Sequence, residues 1–230
     1  MMIRYSKMKI KSVNPNICLE KPVIRHCDNC CADEDKFCSF RTAARQVGRV
    51  NPNNIYVIVD GLHGDLPNDN GDYFEWENTL LASRDDGERA YQTWKDKPNL
   101  VNHDNDIVVG RILDVWPNFQ TKAIEMLLET RKGAFRLAGR DLTRAILEGN
   151  VTEVSMGTGV DYSFCSECGN MAFTEGQWCK CLRYYKGKRH PDSGNFVYEN
   201  NKAIYGLEES YIVMGLAADR DAKVRRVLAK

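Results

Sequence analysis

Residues Val151–Asn170 read VTEVSMGTGVDYSFCSECGN, and two kinds of chemistry meet in them. The first half is β-like and glycine-spaced, the pattern of a strand with close backbone neighbours, and it carries one candidate nucleophile, Ser155. The second half ends in Cys165-x2-Cys168 followed by Gly169, the turn that lets two thiolates point at one ion. Serine and zinc sites rarely share one catalytic centre. The stretch therefore predicts chemistry at the serine and a separate metal staple holding a neighbouring insertion in shape.

After Cys168 and a further ten residues come Cys179-x-Cys181, so four thiolates fall within one short loop. Tetrahedral zinc needs that number of soft ligands, and Cys165, Cys168, Cys179 and Cys181 are the candidate set. The closing C-x-C is tighter than the usual C-x2-C, and an iron–sulfur centre or reduced thiols are the alternatives. An earlier cluster holds Cys18, His26, Cys27, Cys30, Cys31 and Cys38, more candidates than one ion can use. Its core is Cys27-x2-Cys30, which Cys18 and Cys38 could complete as a second zinc site, with Cys31 pointing elsewhere. The competing reading is a loop of reduced thiols.

At 230 residues, 43% hydrophobic and 28% charged, the chain can bury one sizeable core, or a core with small satellites. Basic and acidic residues both number 32, so the overall balance calls for neither nucleic acid nor an anionic membrane. No apolar run reaches the roughly 20 residues of a membrane helix, and MMIRYSKMKIKS lacks the apolar centre of a signal peptide. An intracellular protein is expected. The nine cysteines are odd in number and fall in two tight clusters, which favours metal ligation over a disulfide framework.

Residues 1–50 read as a polar, cysteine-bearing arm ending in a helix-like run, Arg41 to Val47. The main domain is expected over 51–230, with the cysteine insertion at 163–190. Ile55–Val59, IYVIV, reads as a core strand followed by a turn-rich loop. Trp76 to Trp94 carries helical signals broken at Asp85-Asp86-Gly87, and Asn99 to Trp116 is β-rich. Ala123 to Leu128 fits strand or helix. Apolar residues at helical spacing predict a helix over Gly133–Leu147, Ala203–Val213 reads as a strand, and Arg220–Ala229 as a basic terminal helix. The four tryptophans read as packing anchors, NGDYF as a structural turn, and the basic run KGKRH as a solvated loop.

Four histidines could partner a serine: His26, His63, His103 and His190. His26 lies in the cysteine arm and His190 precedes Pro191 in a basic loop, while His63 sits in a glycine-rich loop and His103 opens a β-rich segment. By residue type alone, the ordinary role of any one of them is a surface or hydrogen-bonded core side chain.

Four segments in order distinguish them: NGDYF at Asn70–Phe74, KPNLVNH at Lys97–His103, VSMG at Val154–Gly157, and the terminal LEESYIV to ADRDAKV block. In these the chain resembles the prohead, or head-maturation, serine proteases of tailed bacteriophages, similar in fold to the herpesvirus assembly proteases, the assemblins. The likeness spans roughly Ile55 to Val224 and leaves the cysteine arm unexplained.

The resemblance implies an α+β fold, a mainly antiparallel β core or barrel flanked by helices, assemblin-like, with the zinc-binding insertion added. It implies a serine endopeptidase acting in the host cytoplasm inside the assembling prohead, with phage scaffold protein and major capsid protein as substrates, and a homodimer as a further expectation. No membrane and no specific nucleic acid is expected as a partner. Carried over by residue, Ser155 attacks the scissile carbonyl and His103 is general base, then general acid. Glu208 best matches the carboxylate that orients the imidazole, with Glu209 as runner-up. The chain departs from the pattern in having Leu216-Ala217-Ala218 where a proline is common. Two other classes compete: an inactive head component of the same fold, and a zinc-stapled module binding protein or nucleic acid.

Overall fold

The computed structural model describes residues 2–5, 51–215, 217–219 and 221–229. The expectations placed on the cysteine arm, namely a second zinc at Cys18, Cys27, Cys30 and Cys38 and the helix after Arg41, lie outside the described residues.

The strands in chain order are β1 (Met2–Tyr5), β2 (Asn54–His63), β3 (Asp72–Tyr73), β4 (Pro98–Val101), β5 (Gly110–Asn118), β6 (Ala123–Arg131), β7 (Arg136–Leu137) and β8 (Arg140–Asp141). Helix α1 (Leu142–Leu147) leads to β9 (Val154–Cys165) and β10 (Met171–Ala172). Then follow α2 (Lys180–Tyr185), β11 (Lys188–Arg189), β12 (Phe196–Val197), β13 (Glu199–Tyr211) and β14 (Lys223–Ala229). One ten-stranded sheet dominates, in the order β1-β9-β13-β4-β5-β6-β2-β14, with β10 on β9 and β3 on β13. Its pairings are antiparallel except where β13 runs parallel to β4 and β3.

The fold is thus α+β and largely antiparallel, but two parts of the expectation are corrected. The sheet curls without closing into a barrel: among the described residues, β14 meets the chain ahead of β9 through the Glu153–Lys223 bridge and the Val224 N–H donated to the Thr152 carbonyl. Flanking helices are also scarce among the described residues, where α1 and α2 have six residues each.

β2 is buried along nearly its whole length, as its continuous β-branched run requires of a central strand. Its inner side chains Ile55, Val57 and Val59 pack with Val101, Ile112, Ile124, Met126, Met156 and Tyr211 in the main core. Each fully buried aliphatic side chain contributes about 1.5–3 kcal/mol. Trp76 and Trp94 belong to this core, Trp116 to a smaller cluster on the opposite side, and Trp178 packs against a third made by Cys165, Leu182 and Val197, so all four tryptophans are packing residues. The segment from Trp76 to Trp94 forms two short helical pieces, one π-helical turn at Trp76–Leu80 and a 3-10 turn at Ala90–Trp94.

Two helices expected from the sequence are replaced. Over Gly133–Leu147 only Leu142–Leu147 is helical, because Ala138 (φ 47°) and Gly139 (φ 81°) take left-handed backbone and turn the chain into the β7–β8 hairpin. Asp141 then caps α1 by accepting the Thr143 N–H at 2.8 Å. The terminal run KVRRVLA is a strand on β2, where Arg225 reaches the buried Asp60 at 2.6 Å. Here tertiary pairing overrides a sequence that suits either state.

Close backbone approach at the start of β5 demands glycine. A Cβ on Gly110 would lie 1.7 Å from the Glu129 carbonyl oxygen of β6. Gly110→Ala is expected to force β5 from β6 at a cost of about 3 kcal/mol, read as a lower urea midpoint at unchanged slope.

Candidate active site and metal centre

The site is built where β4, β13 and β9 run side by side. β9 and β13 are antiparallel with Ser155 opposite Ser210 and Gly157 opposite Glu208. On the other side of β13, Ser210 pairs with Leu100 of β4. Directly opposed antiparallel residues point to the same face, as do residues two apart along a strand. Ser155, Gly157, Ser210 and Glu208 therefore share one face.

His103 arrives on that face by a strained turn. β4 ends at Val101, and both Asn102 (φ 51°) and His103 (φ 60°) adopt left-handed backbone, which costs a non-glycine residue about 1–2 kcal/mol. Such strain persists only where its surroundings hold it. Here Asn102 donates its N–H to the Tyr211 carbonyl at 3.0 Å, and its side-chain oxygen accepts from the N–H groups of Val213 (2.9 Å) and Met214 (3.2 Å). The His103 N–H donates to Ser210 Oγ at 3.0 Å.

The imidazole then meets Glu208: His103 Nδ1 lies 2.8 Å from Glu208 Oε1. Ser210 Oγ, already accepting from the His103 backbone, donates its own hydrogen to Glu208 Oε2 at 2.6 Å. A carboxylate only accepts, so Nδ1 carries the hydrogen and Nε2 is left as the basic nitrogen. Glu208 can occupy this place because Gly157 has no side chain: a Cβ there would lie 2.4 Å from Glu208 Oε1.

Ser155 is 1% exposed, and its Oγ is buried with no hydrogen-bond partner among the described residues. A buried unsatisfied hydroxyl costs about 1–3 kcal/mol, so its retention calls for an explanation beyond packing. The structure puts His103 in contact with Glu208 and sets Ser155 on the same strand face. Sequence reasoning passed over Ser210 within LEESYIV and missed Asn102 altogether. A serine two residues from the carboxylate on a strand was the available signal for the first. For Asn102, the only hint was that asparagine tolerates left-handed backbone.

Glu209, the runner-up, points the other way. It opposes Met156, lies beside Gly61 in the interior, and is fully buried with no hydrogen-bond partner among the described residues. Burial pushes its carboxyl well above the usual range, and the charges of Glu208 and Asp219 push the same way. The other described histidines, His63 and His190, are engaged elsewhere. His63 Nδ1 lies 2.9 Å from Asp219 Oδ2, and His190 packs edge-on against Tyr185. Burial alone would lower His63, but the hydrogen bond and charge of Asp219 outweigh it and leave its pKa raised.

Beyond Gly157, β9 runs into the metal loop. The Sγ atoms of Cys165, Cys168, Cys179 and Cys181 all lie within 4.8 Å of one another. Tetrahedral Zn–S bonds of about 2.3 Å require S–S separations near 3.8 Å, so the four thiols fit one ion with little adjustment. Gly169 (φ 70°) donates its N–H to the Cys165 carbonyl at 2.9 Å, which shapes the first turn. The tight C-x-C is explained by α2: Cys179 sits just before the helix and Cys181 in its first turn. Burial pushes the Cys165 thiol up to about 12, so that thiol stays neutral unless a cation takes the place of its proton.

A buried ion network fastens this loop to the sheet. Lys186 Nζ contacts Asp72 Oδ1 at 2.6 Å and Glu199 Oε2 at 2.5 Å. Glu199 Oε1 also accepts from Ser163 Oγ (2.6 Å) and Trp178 Nε1 (3.0 Å). The turn NGDYF thus supplies a buried anchor for the insertion through Asp72. Comparison with family models, curated proteins and solved structures returned no match for this chain.

Two outcomes follow from these groups. Purified chain should carry zinc at the four-cysteine site, and Cys168→Ser should release it, detected by elemental analysis together with faster proteolysis between residues 163 and 190. Glu209 is stabilising to the fold only while protonated: stability is full below the ordinary glutamate pKa and falls as pH rises toward the elevated folded value. Glu209→Gln should therefore raise the melting temperature at pH 8, by about 1–3 kcal/mol of stability, with the gain vanishing near pH 4.

Proposed function

We propose that the chain is a serine endopeptidase of the kind that matures phage heads, cutting scaffold and capsid proteins inside the prohead. The observation that carries this reading is the His103–Glu208 contact at 2.8 Å, on the strand face that also bears Ser155. A serine on the face where a histidine meets a carboxylate is the combination that supports the reading.

In this reading Ser155 Oγ attacks the scissile carbonyl carbon while His103 Nε2 takes its proton. The Nδ1–H bond to Glu208 holds the tautomer and stabilises the imidazolium that forms. His103 then delivers the proton to the leaving amine, and water enters by the reverse sequence to release the acyl group. Glu208 is itself held by Ser210, so the base is oriented by a hydrogen-bonded pair of side chains and not by one carboxylate alone. The zinc loop supports the sheet beside the site and activates no nucleophile.

The 1% exposure of Ser155 favours a second reading, an inactive head component that retains the fold. Coexpression with the scaffold protein of the parent phage separates the two. Wild-type chain should process the scaffold, Ser155→Ala should leave it intact, and Glu208→Gln should slow processing by about 10²–10⁴-fold. Scaffold processing unchanged in Ser155→Ala would remove Ser155 from the mechanism.

A further inference from the structure

The nucleophile candidate is closed off in this conformation, and a neighbour stands on its strand. β13 covers one edge of β9 throughout. The other edge is taken in pieces: β10 pairs at Ser163 and Phe164, β1 pairs over Gly157–Val160, and Glu153 bridges Lys223. Between Glu153 and Gly157, the edge at Val154–Met156 has no ladder partner among the described residues. β1 is antiparallel, with Met2 opposite Val160 and Tyr5 opposite Gly157, so its described residues reach to within two residues of the position facing Ser155.

An extended chain lying antiparallel on a strand edge makes the contacts of β-strand addition, in which main-chain hydrogen bonds supply affinity whatever the sequence. Among the described residues β1 holds a terminal position in the sheet through a ladder of four residues, and short terminal ladders are among the first to open. β9 is otherwise paired along thirteen-residue β13, which cannot leave without dismantling the site. Of the strands touching the catalytic-strand edge, β1 is the one whose departure disturbs least.

We propose that β1 is a displaceable, autoinhibitory strand: the chain's own residues Met2–Tyr5 occupy the edge of β9 at Gly157–Val160, next to the stretch Val154–Met156 that bears Ser155, and an extended peptide can run along both only when they leave. This rests on the hydrolase reading for its consequence but not for its geometry. Displacement couples access to the environment of the amino-terminal segment, so any partner that binds that segment as a strand relieves the block. Substrate and β1 compete for one set of backbone groups and exclude each other.

The test uses the full chain, a form lacking Met2–Tyr5, and the double variant Ile3→Pro/Arg4→Pro, which removes a ladder N–H whichever of the two positions is bonded to β9 and deletes no chain. The probe is an alkyl fluorophosphonate, with labelling located by peptide mass spectrometry, and backbone hydrogen exchange is followed over Gly157–Val160. Both altered forms should be labelled at Ser155 at least about tenfold faster than the full chain, as expected when a dominant closed state is removed. Exchange at Gly157–Val160 should quicken, and a capped MIRY peptide added to the truncated form should reverse both effects.

Labelling of Ser155 at equal rates in all three forms would overturn the block and leave the hydrolase reading standing. Unchanged exchange at Gly157–Val160 in both altered forms would overturn it at its base, by showing that β1 does not hold that edge. Faster, peptide-reversible exchange with no labelling of Ser155 in any form would support the strand's displacement and instead sink the hydrolase reading.

Discussion

The pairing of β9 with β13 is the constraint on which the rest of the structure depends. Its register sets Ser155 opposite Ser210 and Gly157 opposite Glu208, and the missing side chain at Gly157 is what lets the Glu208 carboxylate lie across β9. A slip of β13 by one residue would turn Glu208 to the face opposite Ser155 and bring Glu209 forward in its place. The register is held at both ends. Toward Tyr211 it is held by the Asn102 turn, and toward Glu199 by the Lys186 network and the cysteine loop. The insertion's role in the account is therefore mechanical.

The two adjacent glutamates of β13 show how one strand assigns opposite roles to like side chains. Glu208 faces a histidine and a serine hydroxyl, both able to donate to it. Glu209 faces the apolar interior, where burial favours its neutral form. Alternation along a strand, not residue type, decides which is the partner of His103. It also explains why the pair reads ambiguously in a sequence: LEES contains two carboxylates, and only the register of β13 against β4 and β9 separates them.

The parts legible in the sequence were those with local signatures. Ile55–Val59 is a strand because a β-branched apolar run suits a central position, and the four cysteines converge because C-x2-C with a following glycine is a self-contained turn. The C-terminal strand was not legible, since KVRRVLA fits a basic helix equally well until β2 offers it a partner. The hairpin at Ala138-Gly139 was hidden by apolar residues at helical spacing, which carry no mark of an alanine at positive φ. Of the candidate site, Ser155 was singled out from its own stretch and His103 through the resemblance, whereas the Asn102 and Ser210 contacts depend on strands brought together from far apart in the chain.

The central claim, that Ser155 stands beside an imidazole oriented by Glu208, is tested most directly by the acidity of a thiol placed there. In Ser155→Cys, the pH dependence of alkylation at that position, resolved from the other cysteines by peptide mass spectrometry, reports the charge of its neighbour. The account predicts a pKa well below the ordinary cysteine value of about 8.5, returning to that value or above it when His103→Ala is added. The same profile with and without His103 would contradict it.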